Sequence, residues 1–153
     1  MFHRITLIGF VGQDPVMRYT PDGTAVCNFS VATRQVVSKE RVETCPKGWK
    51  ESRNGKNWEL TTWFRITCWR KLAEAVNQYV AKGSPVYVEG EVRGEAVEGT
   101  QNPRIWQGND GEHRASYELT ARTVKFLGRR DNGGPPIGEP PPAGGEDEDV
   151  LPF

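Results

Sequence analysis

Residues 58–71, WELTTWFRITCWRK, constrain the fold most, because their side chains alternate between two different faces with a period of two. The first face is apolar and suits a protein core: Leu60, Thr62, Phe64, Ile66 and Cys68. The second face is made of Thr61, Trp63, Arg65, Thr67 and Trp69. A half-buried strand normally turns small polar or charged residues toward water. The pattern therefore predicts a strand with an unusual second face, which is either another buried layer or a platform for a flat, anionic ligand.

The two tryptophans of that second face are the candidates for such a platform. Trp63 and Trp69 would lie about 20 Å apart on an extended strand. Ordinary packing of the two rings in a core or a subunit interface is the alternative interpretation. Arg65 between them favours the platform, because a charged side chain is costly to bury without a partner.

The composition predicts one folded domain followed by an unpacked tail. The length of 153 residues suits one domain with some surplus, and an apolar content of 36% is low for a chain folded throughout. Ten of the 15 residues 131–145 are Pro or Gly, which predicts a disordered linker. The last eight residues, EDEDVLPF, are four acids followed by an apolar end.

The net charge of zero conceals a division between body and tail. All 20 basic residues lie at or before Arg130, whereas only 14 of the 20 acidic residues do. Residues 1–130 therefore carry a formal charge of +6, and residues 131–153 carry −6. This segregation predicts a body that binds a polyanion and a tail that does not.

Several classes of protein are disfavoured by the sequence. No apolar run approaches the roughly 18 residues needed to span a bilayer, and the start MFHRITLIGF lacks the features of a signal peptide. We therefore expect a cytoplasmic protein without a membrane partner. Cys27, Cys45 and Cys68 lack CxxC spacing, and His3 and His113 are the only histidines. The sequence thus suggests no metal site and no cofactor.

The order of elements predicts an all-β fold. Alternating patterns indicate strands over residues 2–11, 24–37, 58–71, 84–92 and 114–127, with a turn at 21–23 and a bulge or bend at Gly90. A helical pattern covers residues 70–80, and residues 38–57 and 95–111 resemble long hairpin loops. This is the order of a five-stranded OB-fold barrel with one short helix between strands 3 and 4. Nucleic acid commonly lies on the third strand and the long loops of such barrels.

The chain resembles the bacterial single-stranded DNA-binding proteins in four ordered segments. These are RITLIGFVGQDPVMRY with TPDGTAVCNFSVAT, then TTWFRITCWRKLAEAV, then YVAKGSPVYVEGEVR, and finally the acidic end in LPF. The resemblance implies sequence-independent binding and protection of single-stranded DNA in replication, recombination and repair. It also implies a homotetramer of OB-folds close to the nucleoid.

The resemblance also supplies candidate DNA-binding residues. Trp69 stands where many members have phenylalanine, and the direct position of a third stacking aromatic is Val97, so that role passes to Trp106 after an apparent insertion. The candidate stacking residues are Trp63, Trp69, Trp106, Trp58 and Trp49. The candidate phosphate contacts are Arg4, Arg18, Arg34, Arg65, Lys71, Lys82 and Arg93.

The tail has a separate implied function. In the family, the acidic C-terminal tip docks onto replication and repair enzymes. The corresponding residues are Asp147, Glu148, Asp149, Val150, Leu151, Pro152 and Phe153. The expected organisation is an OB-fold domain over residues 1–130, a linker over 131–145 and a partner-binding tip over 146–153.

Two other function classes remain open. A nuclease on an OB scaffold would need clustered carboxylates, and only Glu89, Glu91, Glu95 and Glu98 are dense enough. A replication-restart module that binds partners more than DNA would typically lack the acidic LPF tip. Binding of single strands requires no catalytic group, so the sequence predicts a protein that is not an enzyme.

Overall fold

The computed structural model describes residues 2–128. They form eleven strands and one helix: β1 (Ile5–Val11), β2 (Val16–Tyr19), β3 (Ala25–Ser38), β4 (Lys50–Glu51), β5 (Asn57–Trp69), α1 (Lys71–Tyr79), β6 (Pro85–Arg93), β7 (Glu95–Val97), β8 (Thr100–Asn102), β9 (Ile105–Gln107), β10 (His113–Ala115) and β11 (Tyr117–Phe126).

The five long strands close into a barrel. β1 pairs with β3 and β6, β3 pairs with β5, and β6 pairs with β11, all antiparallel. β5 and β11 pair in parallel and close the ring. The helix α1 lies between β5 and β6, the third and fourth strands of the barrel. The predicted five-stranded OB-fold with one helix is therefore confirmed.

The barrel is filled by alternate residues of its strands, as the period-two patterns predict. Ile66 and Cys68 of β5 are fully buried, and Phe64 packs against the same core. Helix α1 covers one end of the barrel with Ala73 and Val76. The other core residues are Leu7, Val11, Ala25, Cys27, Phe29, Val31, Val80, Val86, Val88, Leu119 and Ala121.

Gly90 marks a close approach of two strands. A Cβ on Gly90 would lie 2.3 Å from the carbonyl oxygen of Thr120, so only glycine lets β6 and β11 pack this closely. The irregularity itself is on β11, where the register shifts between Ala121 and Thr123. The sequence predicts a bulge or bend at Gly90, and the structure has the bulge on the partner strand β11, next to the residue opposite Gly90.

The second predicted loop differs from expectation. Residues 95–111 were expected to form one long hairpin loop, but the structure has two short hairpins, β7–β8 and β9–β10. The first turns at Glu98 and Gly99, which both have positive φ, and the second turns at Gly111, also with positive φ. Because β10 takes up His113–Ala115, the closing strand begins at Tyr117 and not at residue 114.

The first long hairpin extends beyond the barrel. The pairing of β3 with β5 continues from Val26 and Trp69 at the barrel end to Ser38 and Asn57 at the far end. The short strand β4 adds to the outer part of β5, opposite Glu59 and Trp58. Part of the predicted loop 38–57 is thus an ordered β-structure.

The linker and the partner-binding tip, residues 131–145 and 146–153, lie outside the described residues. Within residues 2–128, no helix has the length and apolar character needed to cross a membrane.

Candidate nucleic-acid interface

The side of β3 and β5 that points away from the core holds the central candidates. Cross-strand register places Trp63 opposite Ala32 and Trp69 opposite Val26. Residues directly opposite on paired strands share one side of the sheet. We call this surface the outer face: Trp63, Arg65, Thr67 and Trp69 of β5, with Val26, Asn28, Ser30, Ala32 and Arg34 of β3. Both tryptophans are half-buried, in accord with the alternation of the sequence.

Neighbouring strands bring further basic residues to the outer face. Arg18 of β2 pairs with Val26, which pairs with Trp69, so these three residues form one row across the sheet. At the other edge of β5, Arg65 is the cross-strand partner of Glu118 on β11, and Glu118 is the cross-strand partner of Arg93 on β6. The outer face thus joins two aromatic rings to guanidinium groups from four strands.

Trp63 lies directly over the backbone at the end of β1. A Cβ on Gly12 would fall 2.3 Å from Cζ3 of Trp63 and 2.8 Å from Oγ of Ser30. The amide of Gly12 also donates to the carbonyl oxygen of Ser30 at 3.0 Å. Glycine at this position therefore creates the space that the indole occupies, which holds the ring against the sheet.

Two arginines of the outer face are paired with carboxylates of lower exposure. Nη1 of Arg65 is 3.6 Å from Oε1 of Glu118, and Nη1 of Arg34 is 3.4 Å from Oε1 of Glu59. In both pairs the arginine side chain is the more exposed partner. The guanidinium groups are therefore accessible to an anion.

The other basic candidates lie around this centre. Arg4 directly precedes β1, with Nη1 2.5 Å from Oε1 of Glu89. Lys71 is exposed at the start of α1, two residues after Trp69. Lys82 is exposed in the turn after α1, where its amide donates to Asp14 at 2.7 Å.

Trp58 has a role within its own hairpin. It lies on the same side of β5 as the core residues, opposite Val37, in the part of the strand that extends beyond the barrel. Its Nε1 donates to the carbonyl oxygen of Val42 at 2.8 Å, and Nζ of Lys39 is 4.3 Å from its ring centre. The indole therefore ties the loop to β5, and the cation covers one side of the ring.

Trp106 has similar contacts on the β9–β10 hairpin, away from the barrel sheet. Its Nε1 donates to Oγ of Ser116 at 3.2 Å, and the guanidinium carbon of Arg114 is 5.7 Å from its ring centre. Trp49 is half-buried just before β4, with its amide donating to Pro46 at 3.0 Å. The structure thus separates these three tryptophans from the pair on the outer face.

Within residues 2–128, the acidic residues of β6 and the cysteines do not form a second candidate site. Glu91 pairs with Arg122 at 2.8 Å, and Glu89 accepts a hydrogen bond from Tyr87 at 3.0 Å, so the acids on β6 have partners. In residues 2–128, no three His, Cys, Asp or Glu side chains are grouped to hold a metal ion. Cys27 and Cys68 face each other in the core, where burial raises both pKa values, that of Cys68 to about 12.

Comparison with known proteins identifies the family of this chain. The single-strand binding protein family matches residues 2–127, which is nearly the whole described structure. The chain belongs to this family. Two relatives from Neisseria meningitidis, from serogroups A and B, are each named single-stranded DNA-binding protein. Each is 41% identical over 139 residues, covering 90% of this chain and 67% of the relative.

Three features of this single-strand binding protein were missed by sequence reasoning. These are the packing of Trp63 against Gly12, the pairing of Arg34 with Glu59 and the pairing of Arg65 with Glu118. Of the two acidic partners, the sequence could place only Glu59 on the candidate surface, because it alternates with the same period as Trp63 and Arg65 along one strand. Glu118 comes from β11, and its position beside Arg65 depends on a parallel pairing of distant strands.

Proposed function

We propose that this chain binds single-stranded DNA without regard to sequence and protects it during replication, recombination and repair. The observation that carries the proposal is the outer face, where Trp63 and Trp69 flank Arg65 on one side of β5. Arg18, Arg34 and Arg93 border the same surface. Arg4, Lys71, Lys82 and the tryptophans of the hairpins are proposed to extend the path.

The arrangement suits the two features that every single strand offers. Unstacked bases expose flat faces, and stacking on an aromatic side chain contributes about 1–3 kcal/mol per base. Phosphates attract guanidinium groups, and their binding releases counterions, which makes affinity depend on salt. Bases in a duplex are already stacked on each other, so a surface of this kind favours single strands. No bond is made or broken, and no catalytic group is required.

Titration of intrinsic tryptophan fluorescence with poly(dT) tests this proposal. Stacking on Trp63 and Trp69 is expected to quench emission, and added salt is expected to reverse the quenching because phosphate contacts contribute. Duplex DNA of the same length is the control and should quench much less. Equal affinity for duplex and single strand, or binding that salt does not weaken, would contradict the proposed mode.

The outward side of β1 supports self-association into the proposed homotetramer. β1 pairs with β3 only at Phe10 and Val11, so Ile5–Gly9 form hydrogen bonds only toward β6 within the described barrel. Ile8 is 66% exposed and Phe10 40% exposed on this strand. An unpaired strand edge and exposed apolar side chains both favour association with another chain.

Sedimentation or light scattering at several protein concentrations measures this association. A mass of four chains is expected, and Ile8→Lys is expected to shift the protein toward smaller species by placing a charge in the apolar surface. The matched variant is Thr61→Lys, which adds the same charge to the DNA-binding side of β5. A wild-type monomer at micromolar concentration would contradict self-assembly.

We also propose that residues 146–153 recruit replication and repair enzymes. The support is the sequence EDEDVLPF, in which acids that suit a basic rim precede an apolar anchor. A synthetic EDEDVLPF peptide should compete with the full chain for purified enzymes of these processes, whereas a peptide without the last three residues should not. If deletion of residues 146–153 changed neither enzyme binding nor DNA affinity, this part of the proposal would be wrong.

A further inference from the structure

Glu118 lies in the middle of an otherwise basic row. It is level with Arg65 of β5 on one side and with Arg93 of β6 on the other. Its side chain is 18% exposed, whereas that of Arg65 is 38% exposed. The carboxylate thus lies closer to the barrel than the guanidinium group with which it is paired.

The pair between Glu118 and Arg65 is loose. Nη1 of Arg65 is 3.6 Å from Oε1 of Glu118, which is too long for a hydrogen bond. Within residues 2–128, this buried Oε1 accepts no hydrogen bond from any group. By contrast, Arg122 and Glu91 on the same side of the barrel are 2.8 Å apart. A buried carboxylate oxygen without a donor is uncommon in folded proteins and calls for a physical explanation.

A negative charge at this point has two consequences for an anionic ligand. It attracts Arg65 and limits the directions in which the long side chain can point. It also repels any phosphate that approaches Arg65, because its charge is only partly screened at this depth. The acid therefore opposes phosphate binding at the centre of the outer face, while the stacking surfaces of Trp63 and Trp69 are unaffected.

We propose that Glu118 is a positioning residue that restrains Arg65 and weakens the phosphate contribution to binding. This inference rests on the proposed function of the outer face. In the wild-type protein, binding at the centre of the face depends mainly on stacking, and Arg65 contributes less than an unpaired arginine would.

Glu118→Gln is the decisive variant. Glutamine retains the length and an acceptor oxygen for Arg65, so the substitution removes the charge and keeps the shape. We expect affinity for poly(dT) at low salt to rise about two- to fivefold, because one negative charge no longer opposes phosphate binding at Arg65. The slope of log affinity against log salt should steepen by up to about 0.7 for each barrel engaged, since one more phosphate is neutralised.

Glu74→Gln is the matched control. It removes one negative charge from an exposed position on α1, which is not part of the row formed by Arg65, Glu118 and Arg93. Its affinity and its salt slope should equal those of the wild type. If Glu74→Gln tightened binding as much as Glu118→Gln, the effect would arise from net charge alone and the assignment would be wrong.

Two further measurements separate this role from alternatives. In an Arg65→Gln background, Glu118→Gln should give little gain, because the restrained group is absent; a full gain there would overturn the proposal. The gain should also be the same on poly(dC) as on poly(dT). A loss confined to poly(dC) would show that Glu118 accepts from the cytosine amino group, which contradicts a restraining role.

Failure of this inference can be distinguished from failure of the proposed function. Wild-type binding to poly(dT), with quenching and salt reversal, depends only on the proposed function. If that binding is present and Glu118→Gln leaves affinity and slope unchanged in a protein with unaltered thermal unfolding, only the inference about Glu118 is overturned.

Discussion

The tryptophans of the barrel and those of the hairpins have different surroundings. Within residues 2–128, the indoles of Trp63 and Trp69 donate no hydrogen bond, and no cation lies over their rings. Trp58 donates a hydrogen bond within its own hairpin, and Trp106 donates one to Ser116, directly after its hairpin. Each of the two rings also has a basic side chain nearby. One pair is held only by packing against the sheet, and the other is also held by polar contacts.

This difference indicates how the rings are used. A ring covered by its own lysine or arginine has one side occupied before any ligand arrives, and its N–H is already satisfied. A ring that lies on a sheet without such contacts can meet a base with its full outward side. We infer that the outer face carries most of the stacking energy, and that the hairpin tryptophans mainly order the segments on which they lie.

Removal of both outer-face rings is the strongest test of this comparison. Trp63→Ala and Trp69→Ala should each weaken binding to a labelled dT oligonucleotide by about 1–3 kcal/mol, measured by anisotropy. Their Phe counterparts keep a stacking surface and should retain most of the affinity. A folded double Ala variant that binds as tightly as the wild type would show that the strand does not use these rings.

Displacement of one ring without deleting it should have an intermediate effect. In Gly12→Ala, the new methyl group would lie 2.3 Å from Cζ3 of Trp63, so the indole has to move away from the sheet. We expect a loss of about 1 kcal/mol in DNA binding, part of the value of one stack. In a Trp63→Ala background the same substitution should cost almost nothing, because the two effects share one ring. An additive loss would separate Gly12 from the stacking surface.

A conservative change in a hairpin tryptophan should mainly affect its hairpin. Trp58→Phe keeps an aromatic ring but removes the donor to Val42, which should reduce the local stability of the hairpin by about 0.5–1.5 kcal/mol. Amide hydrogen exchange should accelerate in residues 39–57 and remain unchanged in the barrel. Affinity for DNA should change less than about twofold. If Trp58→Phe weakened binding more than Trp63→Phe, the inferred division of labour would be reversed.

Much of the barrel and its outer face could be predicted because the information is local. Alternation along β5 alone separates Ile66 and Cys68 from Trp63, Arg65 and Trp69, and the structure confirms that separation. The turn at 21–23 and the helix after β5 also depend on neighbouring residues only.

The missed features depend on contacts between distant parts of the chain. Glu118 meets Arg65 only because β11 pairs in parallel with β5. A period-two pattern shows which side of a strand a residue is on, but not which residue of a distant strand lies beside it. Gly12 meets Trp63 because β3 pairs with β1 on one side and with β5 on the other. The division of residues 95–115 into two hairpins depends on Glu98 with positive φ, a conformation that its residue type does not favour.

The reactivity of the three cysteines allows the barrel and the first hairpin to be compared in one chain without any substitution. Cys45 is exposed on the first hairpin, where its thiol donates to the carbonyl oxygen of Trp49 at 3.3 Å. Cys27 and Cys68 are fully buried in the barrel. With a disulfide reagent at about pH 8, one thiol per chain should react quickly and two only upon unfolding, because the thiolate is the reactive form.

The raised pKa of Cys68 extends this test to alkaline pH. Its thiol ionises near pH 9 in the unfolded chain and near 12 in the barrel, so its contribution to stability is present below pH 9 and is lost as pH rises toward 12. When unfolding is monitored by labelling of the Cys27 and Cys68 thiols, the denaturant concentration needed should therefore fall above about pH 9. Saturating poly(dT) should leave the Cys45 rate nearly unchanged if the hairpin binds DNA weakly. Strong protection of Cys45 would instead show that poly(dT) lies on the hairpin. The hairpin tryptophans would then contact DNA as those of the outer face do.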